Sequence, residues 1–397
     1  MPSEDRASRS TRPPVVLQVL PSLVTGGVER GTVDMAGSLT EAGWTALVAS
    51  SGGPMVRELD RQGVKHITLP LHSKNPLVIK ANIAKLEAVI REHGVDIVHA
   101  RSRAPAWSAW YAAQATGAHF VTTFHGTYNL GWMGLKARYN AVMTRGERVI
   151  AISNFIANHM RTCYGIHPSK VRVVHRGVDL TKFDPARVSQ ERIIQLAQRW
   201  RLPDGHKVIM LPGRLTRWKG QIVLIEALAR LGRRDLRCLL VGSDQGRTGY
   251  TEELKALVAA RGLTDIVHIV GECNDMPAAY MLTDVVVSAS TDPEAFGRVI
   301  VEGQAMGRPV VVTDNGAGRE NVLDGQSGLL VPPGDPDALA AALGRLLEMP
   351  LSEREAVAEI AINFVRENFS RELMCARTID VYREVLALPV AAEVEAV

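Results

Sequence analysis

Two glutamates and two basic residues in the second half of the chain have the types and spacing of a binding site. Glu294 and Glu302 are eight residues apart, the first in a loop and the second inside a helix predicted to begin at Gly297. The amides of the first turn of that helix have no partners within it, so they can face an anion between the two acids. Arg214 and Lys219 are five residues apart, between a predicted strand and a helix, so both can reach a diphosphate. One site therefore offers acceptors for hydroxyl groups and donors for phosphate.

This combination suits a sugar that is joined to a nucleotide through a diphosphate. A carboxylate accepts two adjacent hydroxyl groups at once, so one glutamate could hold the hexose and the other the ribose. The alternative is that both acids are ordinary residues of a helix N-terminus, where the helix dipole favours negative charge. The glutamate pair alone does not decide between the two interpretations.

Strands followed by helices surround these residues and must position them. Apolar, strand-like runs precede each pair: residues 208–211 before the cations and 284–288 before the acids. The first half of the chain repeats the pattern, with strands predicted at residues 15–20, 45–49, 65–69, 96–99, 120–123, 148–152 and 171–174. Helical patterns lie between most of them. This alternation predicts an α/β fold with parallel strands and covering helices.

Candidate binding residues of the first half follow the ends of strands, where open parallel sheets bind ligands. Gly26 and Gly27 follow the first strand, and they either let the backbone approach a phosphate or form a plain turn. The local sequence TGGVER lacks the G-x-G-x-x-G dinucleotide pattern. Arg101 and Arg103 follow the strand at 96–99, and they could meet an acidic acceptor or form surface salt bridges.

Other residues at strand and helix ends have two interpretations each. His125 follows the strand at 120–123, next to a glycine, and it is either a ligand contact or a turn histidine. Gly242 follows a strand of the second half and could line a nucleotide pocket. Asp335 and Asp337 form a D-x-D sequence that precedes a predicted helix, which favours a helix cap over a metal site.

The motifs together resemble those of one enzyme family. The stretch from Thr291 to Gly334 resembles the E-x7-E signature of retaining glycosyltransferases of family 4, and Gly213 to Gly220 is similar to their G-R-x-x-x-x-K-G motif. The resemblance implies the GT-B fold, in which two Rossmann-like α/β domains face each other across a deep cleft and a C-terminal helix crosses back to the first domain. The expected divisions are a disordered tail at 1–14, an acceptor domain at 15–184 joined by a helix at about 371–397, and a donor domain at 185–370. Residues 183–203 are expected to form the crossing between the domains.

The same resemblance implies roles for individual residues. It implies catalytic roles for His125, Arg214, Lys219 and Glu294. It places the donor nucleotide against Gly26, Gly27, Gly242, Phe296, Gly297, Arg298, Val299 and Glu302. At Arg176 the chain departs from the family, which often has Asn-Gly-Val-Asp where this sequence has Arg-Gly-Val-Asp.

The implied function is transfer of a hexose from a nucleotide sugar of the UDP-glucose or GDP-mannose type. The expected acceptor is a hydroxyl of an envelope glycan or glycolipid such as lipopolysaccharide core, with the anomeric configuration retained and with no metal or other cofactor. Two alternatives remain open: a nucleotide-sugar epimerase on the same fold, and a non-catalytic protein that binds sugar nucleotides. A nicotinamide dehydrogenase is disfavoured because the dinucleotide pattern is missing.

The composition limits the class of protein. The chain has 397 residues, of which 46% are hydrophobic and 22% charged, as expected for a soluble protein with two domains. The sequence has no apolar run of the roughly 18 residues that a membrane span needs, and its first 14 residues have no apolar signal segment. Four scattered cysteines predict neither a zinc site nor a disulfide framework, so the cytoplasm is the expected compartment.

The charge is distributed unevenly along the chain. Residues 1–184 carry 22 Lys and Arg against 13 Asp and Glu, a net charge of +9, whereas the remainder carries −5. This predicts an anionic partner for the first half, either a phosphorylated acceptor or an anionic inner membrane face, and the alternative is an ordinary solvated basic surface. The segment from Leu130 to Glu147 could lie on such a membrane face as a helix or pack against the core. No nucleic acid is expected among the partners.

Overall fold

The computed structural model describes residues 12–24, 26–128 and 135–389, and this chain divides into two compact units. The first unit comprises Met1–Gly177 together with Glu372–Val397, and the second comprises Val178–Arg371. The second unit therefore begins seven residues before residue 185, where the donor domain was expected to begin.

The first unit is a parallel sheet of seven strands with helices between them. The strands are β1 (Val15–Val19), β2 (Thr45–Ser50), β3 (Lys65–Thr68), β4 (Ile97–Ala100), β5 (His119–Phe124), β6 (Arg148–Ala151) and β7 (Val171–Val173). The helices are α1 (Gly27–Glu41), α2 (Val56–Arg61), α3 (Pro76–His93), α4 (Arg103–Thr116), α5 (Leu135–Asn140) and α6 (Asn154–Tyr164). The strand order β3-β2-β1-β4-β5-β6-β7 is Rossmann-like, with the order reversing between β1 and β4.

The second unit repeats this architecture with six parallel strands. Its strands are β8 (Lys207–Pro212), β9 (Leu236–Val241), β10 (Val267–Gly271), β11 (Val285–Ser288), β12 (Val310–Thr313) and β13 (Gly328–Val331), in the order β10-β9-β8-β11-β12-β13. Its helices are α7 (Gln190–Arg199), α8 (Gln221–Leu231), α9 (Thr248–Ala260), α10 (Met276–Met281), α11 (Arg298–Ala305), α12 (Pro336–Leu347) and α13 (Leu351–Asn368). The helix α14 (Arg371–Val385) follows them. The predicted α/β fold with parallel strands is confirmed.

The central strands are apolar without alternation because helices cover both faces of each sheet. Every residue of β1, β4, β11 and β12 is buried, and β-branched side chains predominate in β11 and β12. Side chains at the helix starts satisfy amides of the first turn. Asp335 accepts hydrogen bonds from the amides of Asp337 and Ala338 at the start of α12, where Pro336 occupies the first turn. The interpretation of the D-x-D sequence as a helix cap is confirmed.

The structure decides two sequence predictions. Residues 183–203, expected to cross between domains, lie within the second unit and include all of α7. In α7, Arg192 donates from Nη2 to Oδ1 of Asp275 at the start of α10, at 2.6 Å. The segment 130–147 is not one surface helix over its described part, because α5 ends at Asn140 and a 3-10 turn follows. Val142 and Met143 are buried in that turn, which favours the core-packing interpretation of the segment.

The C-terminal helix α14 packs on the first unit through hydrogen bonds to buried side chains. The ring of His99 at the end of β4 bonds through Nδ1 to the hydroxyl of Tyr382 at 2.6 Å and through Nε2 to the hydroxyl of Thr123 at 2.7 Å. Glu384 accepts hydrogen bonds from Arg148 and Arg172 on β6 and β7. These contacts explain why residues after 371 belong to the first unit.

Acidification below pH 6.5 is expected to destabilise the first unit through His99. Burial lowers the pKa of His99 well below its usual value of 6.5, and neighbouring Arg101 adds to the effect. The unfolded chain therefore binds a proton at this histidine near pH 6.5, whereas the folded chain does not. The free energy of unfolding thus keeps its full value above pH 6.5 and decreases below it by about 1.4 kcal/mol per pH unit. Because buried His125 adds to the total slope, the difference between wild type and His99→Gln in denaturant unfolding from pH 7.5 to 5.5 measures the contribution of His99. The variant His99→Gln should show a shallower slope, and equal slopes in the two proteins would contradict the assignment.

Candidate active site

A basic and an acidic side chain that are 75 residues apart in sequence meet in the second unit. Lys219 donates from Nζ to Oε1 of Glu294, and the same oxygen accepts from the hydroxyl of Ser290 at 2.7 Å. The side chains of Lys219 and Glu294 are only 14% and 12% exposed. Oε2 of Glu294 accepts no hydrogen bond from the residues that the structure describes. The carboxylate is thus held by one oxygen, and the other can accept a ligand hydroxyl.

The loops that carry this pair touch because their strands are neighbours in the sheet. Strand β8 pairs with β11, so the loop after β8, which contains Lys219, lies beside the loop after β11, which contains Glu294. The amide of Thr291 donates to the carbonyl of Trp218 at 2.8 Å. Gly220 approaches the backbone of Ala289 so closely that a Cβ on the glycine would lie 2.6 Å from the carbonyl carbon. Sheet order and this glycine therefore bring the two motifs together.

A second glycine fixes the backbone of Glu294 itself. Gly316 pairs with Glu294 in an isolated parallel bridge, and the amide of Ala317 donates to the carbonyl of Glu294 at 2.8 Å. A Cβ on Gly316 would lie 2.6 Å from the amide nitrogen of Glu294 and 2.9 Å from the carbonyl carbon of Pro293. Its φ of +62° also lies in the region that favours glycine. The loop after β12 thus fixes the backbone of Glu294 through this bridge and hydrogen bond.

The second cation of the motif is exposed. The side chain of Arg214 makes no hydrogen bond or ion pair with the described residues, whereas its carbonyl accepts from Nε2 of buried Gln221 at 3.0 Å. Gly242 approaches the carbonyl carbon of Gly213 so closely that a Cβ would lie 2.6 Å from it. Gly242 therefore lets the loop after β9 pack on the loop that carries Arg214, and the guanidinium remains available to an anion.

The second acid of the sequence pair is buried and already engaged. Glu302 is 7% exposed, and its Oε1 accepts from Arg298 at 2.7 Å within α11. Its Oε2 accepts from the hydroxyl of buried Tyr280 at 3.1 Å. Burial and the neighbouring carboxylate raise the pKa of Tyr280 well above 10, so its hydroxyl keeps the proton that it donates. Glu302 is thus held in one orientation by two donors.

The start of α11 lies between the two acids, as the spacing predicted. Gly297 caps the helix with φ +85°, and the first-turn amides of Arg298 and Val299 have no partner among the described residues. The ring of Phe296 is 4% exposed and packs edge-on against Phe369 at 5.7 Å, so this side chain is part of the core. Of Phe296, only the backbone can face a ligand.

Predicted residues of the first unit also come together. Arg176 donates from Nη2 to Nδ1 of His125 at 2.8 Å. A Cβ on Gly27 would lie 3.1 Å from Cζ of the same guanidinium, and Gly26 caps α1 next to it. The Nε2 atom of His125 is buried and has no hydrogen-bond partner in the described part of the chain.

The two arginines proposed for the acceptor have different surroundings. Arg101 is only 6% exposed, and its Nε atom has no hydrogen-bond partner among the described residues, so the surface salt-bridge interpretation is wrong for this residue. Arg103 donates to Oδ1 of Asn140 at 3.0 Å and lies over the ring of Tyr128. Arg103 therefore links α4 to α5 by a hydrogen bond. Arg101 is a buried cation at the end of β4.

The described residues contain no group of three or more His, Cys, Asp and Glu side chains placed to hold a metal ion. Within the same residues, no helix has the length and apolarity that a membrane span requires.

Comparison with known proteins identifies the family. Residues 25–182 match the model of Glycosyltransferase Family 4, and residues 193–364 match that of Glycosyl transferases group 1. A protein of Salinispora tropica named D-inositol 3-phosphate glycosyltransferase is 31% identical over 91% of this chain and 82% of its own length. The chain belongs to glycosyltransferase family 4. It is therefore a transferase that takes a nucleotide sugar as its donor substrate, as the motifs implied.

Solved structures agree with this family 4 assignment and show the GT-B fold. A glycosyltransferase from Rickettsia africae is 39% identical with a TM-score of 0.87, and the match covers 94% of this chain and 99% of that one. HepE of Anabaena in complex with UDP is 25% identical with a TM-score of 0.80, covering 94% and 100%. The expected GT-B fold is confirmed.

Sequence reasoning missed three supporting residues of this glycosyltransferase. Ser290 follows β11 and lies four residues before Glu294, a proximity that could have indicated it. Tyr280 reaches Glu302 across 22 residues, and no local pattern signals the contact. The support that Gly316 gives to Glu294 depends on the neighbouring positions of β11 and β12 in the sheet.

Replacing Tyr280 by phenylalanine is expected to weaken donor binding. The change leaves Oε2 of buried Glu302 without its donor, which frees the carboxylate to turn and costs roughly 1–3 kcal/mol. We expect the KM for the nucleotide sugar to rise about fivefold to tenfold with a smaller change in kcat, measured by steady-state kinetics. Tyr111→Phe is the control, because Tyr111 is 47% exposed and lies on α4 in the other unit. Equal KM values in the two variants would contradict a role of Glu302 in holding the donor.

Proposed function

We propose that this chain transfers a hexose from a nucleoside diphosphate sugar to a hydroxyl of an anionic acceptor, with retention of the anomeric configuration. The observation that carries the donor part is the Lys219–Glu294 pair, which places a cation and a free carboxylate oxygen side by side. Arg214 lies in the same loop as Lys219 and is exposed. A UDP-sugar is favoured over a GDP-sugar because the related HepE structure contains UDP.

The proposed chemistry breaks the bond between the anomeric carbon and the diphosphate oxygen. The negative charge that grows on that oxygen is stabilised by Arg214, Lys219 and the first-turn amides of α11. The acceptor hydroxyl attacks the anomeric carbon from the side of the leaving group, and its proton passes to the departing phosphate. The free Oε2 of Glu294 accepts a hydroxyl of the hexose, and Glu302 accepts the ribose diol. No step requires a metal.

The proposed acceptor carries negative charge. Residues 1–184 have a net charge of +9, and Arg101 provides a buried cation at the end of β4. Two acceptor classes have this chemistry: an envelope glycan such as lipopolysaccharide core, and a phosphorylated polyol such as the one in the name of the Salinispora relative.

Two further parts of the proposal concern location. The four cysteines form no disulfide with one another, which is typical of a cytoplasmic protein. The exposed cations Lys136 and Arg138 on α5 are proposed to contact an anionic inner membrane face. Co-sedimentation with vesicles of anionic lipid, compared with neutral vesicles, tests this contact.

The deciding experiment is a matrix of nucleotide sugars and acceptors read by mass spectrometry. UDP- and GDP-hexoses are each combined with lipopolysaccharide core fragments, inositol phosphates and the corresponding unphosphorylated polyols. The expected product carries one added hexose, and proton NMR of the new linkage reports the anomeric configuration. A changed nucleotide sugar without acceptor would favour an epimerase, and calorimetric donor binding without turnover on any acceptor would favour a binding protein.

A further inference from the structure

The loop after β7 supplies a cation to the histidine at the end of β5. Arg176 lies three residues beyond β7, and its Nη2 atom is 2.8 Å from Nδ1 of His125. The same guanidinium fills the space above Gly27 at the start of α1, where a Cβ would lie 3.1 Å from Cζ. Arg176 is the position at which this sequence departs from the asparagine that its family often has.

Guanidinium chemistry fixes the tautomer of the imidazole. An arginine side chain has only N–H donors, so Nδ1 of His125 must present its lone pair to Arg176. In the neutral ring the proton is then on Nε2. That atom is buried without a partner among the described residues, and an unsatisfied buried donor costs about 1–3 kcal/mol. A bound oxygen atom would satisfy it.

The groups that surround the ring of His125 disfavour its protonation to the imidazolium. Arg176 approaches from the loop after β7, Arg101 and His99 approach from the end of β4, and Tyr128 lies in the loop of His125 itself. Burial, followed by the positive charges of Arg176 and Arg101, lowers the pKa of His125 well below 6.5. Burial raises the pKa of Tyr128, which therefore stays neutral. The described groups that act on the ring include no carboxylate that would stabilise an imidazolium.

We propose that Arg176 is a positioning residue that holds His125 as a neutral ring that donates from Nε2 to an oxygen of a bound substrate. This inference rests on the proposed function and specifies how one of its residues acts. Asparagine at position 176 would not have the same effect, because its amide can accept from Nδ1–H as well as donate to Nδ1. Arginine removes that ambiguity and adds a charge that opposes protonation.

Histidine NMR tests the tautomer without relying on activity. The full chain is labelled with ¹⁵N-histidine, and the His125 signals are assigned by their loss in His125→Gln. The wild-type ring is expected to show protonated Nε2 and unprotonated Nδ1 from pH 8 to pH 5.5. In Arg176→Asn, the Nδ1–H form is expected to appear, because asparagine can accept from Nδ1–H as well as donate to Nδ1. A wild-type ring that is protonated on Nδ1 at pH 7.5, or an unchanged spectrum in the variant, would overturn the proposal.

The kinetics of sugar transfer at pH 7.5 test the consequence for function. In Arg176→Asn, kcat/KM is expected to fall about tenfold, because a neutral ring with its proton on Nδ1 has no donor on Nε2. Arg176→Lys keeps a donor-only cation and should retain the wild-type kcat/KM, and it also serves if the asparagine variant does not fold. Arg161→Asn is the matched control, because the side chain of this exposed arginine on α6 bonds to Asn158 at 2.7 Å and to no other described residue.

The two measurements separate this inference from the proposed function. Absence of transfer with every donor and acceptor would overturn the proposed function, and the NMR spectra would still decide the tautomer. A changed tautomer in Arg176→Asn with a kcat/KM equal to that of the wild type would overturn the functional part of the inference and leave sugar transfer intact.

Discussion

Replacing Lys219 by alanine is expected to lower the kcat of sugar transfer by a hundredfold or more. The ammonium group stabilises charge on the departing diphosphate, and removal of one such donor typically costs about 3 kcal/mol in the transition state. Lys219 also holds Glu294 by a hydrogen bond to Oε1, so its loss releases the carboxylate as well. Initial rates at saturating donor measure the effect, and circular dichroism checks that the fold is intact.

Arg217 provides the matched control for Lys219. It lies in the same loop but is exposed and paired with Glu253, so Arg217→Ala should leave the rate within about twofold. Glu294→Ala should be as damaging as Lys219→Ala. The double variant should lose little more than either single variant, because each side chain depends on the other. A wild-type kcat in Lys219→Ala would refute the proposed stabilisation of the leaving group.

Replacing Gly316 by alanine is expected to reduce activity by about a hundredfold without removing any group that contacts substrate. The new Cβ would lie 2.6 Å from the amide nitrogen of Glu294, and the bridged backbone must move to relieve the clash. A displacement of about 1 Å at a positioned group can cost a hundredfold in rate. Kinetics with Gly316→Ala, together with its thermal unfolding midpoint, measure both consequences.

Gly334 separates this steric effect from the cost of the backbone conformation. Gly334 has φ +74°, and a Cβ there would have no atom within 4 Å. Gly334→Ala should therefore destabilise the fold only through the unfavourable backbone conformation, by roughly 1–2 kcal/mol. Its activity should stay close to that of the wild type. If Gly316→Ala lost no more activity than Gly334→Ala, the backbone contact with Glu294 would not be what positions the acid.

Much of the fold was predictable from local patterns. Short apolar runs rich in valine, such as those of β11 and β12, form buried strands wherever they lie between helices, so the order of elements and the parallel sheets followed from them. The cap at Asp335 was predictable for the same reason, since a cap involves only neighbouring residues. The interpretations that local patterns could not decide depended on distant packing. Burial of Val142 and Met143 favours core packing for the described part of the 130–147 segment. The crossing expected at residues 183–203 was wrong, because these residues lie within the second unit, where Arg192 pairs with Asp275.

The sequence by itself determined which chemical groups the site contains, because the spacing of Glu294, Arg214 and Lys219 relative to strands is a local property of the chain. Only the tertiary structure decided how those groups are paired. Lys219 meets Glu294 because β8 and β11 are adjacent in the sheet, and Arg176 meets His125 because both follow the ends of strands in one sheet. Contacts across 75 and 51 residues depend on strand order and side-chain direction, and neither is encoded in the residues that surround each partner.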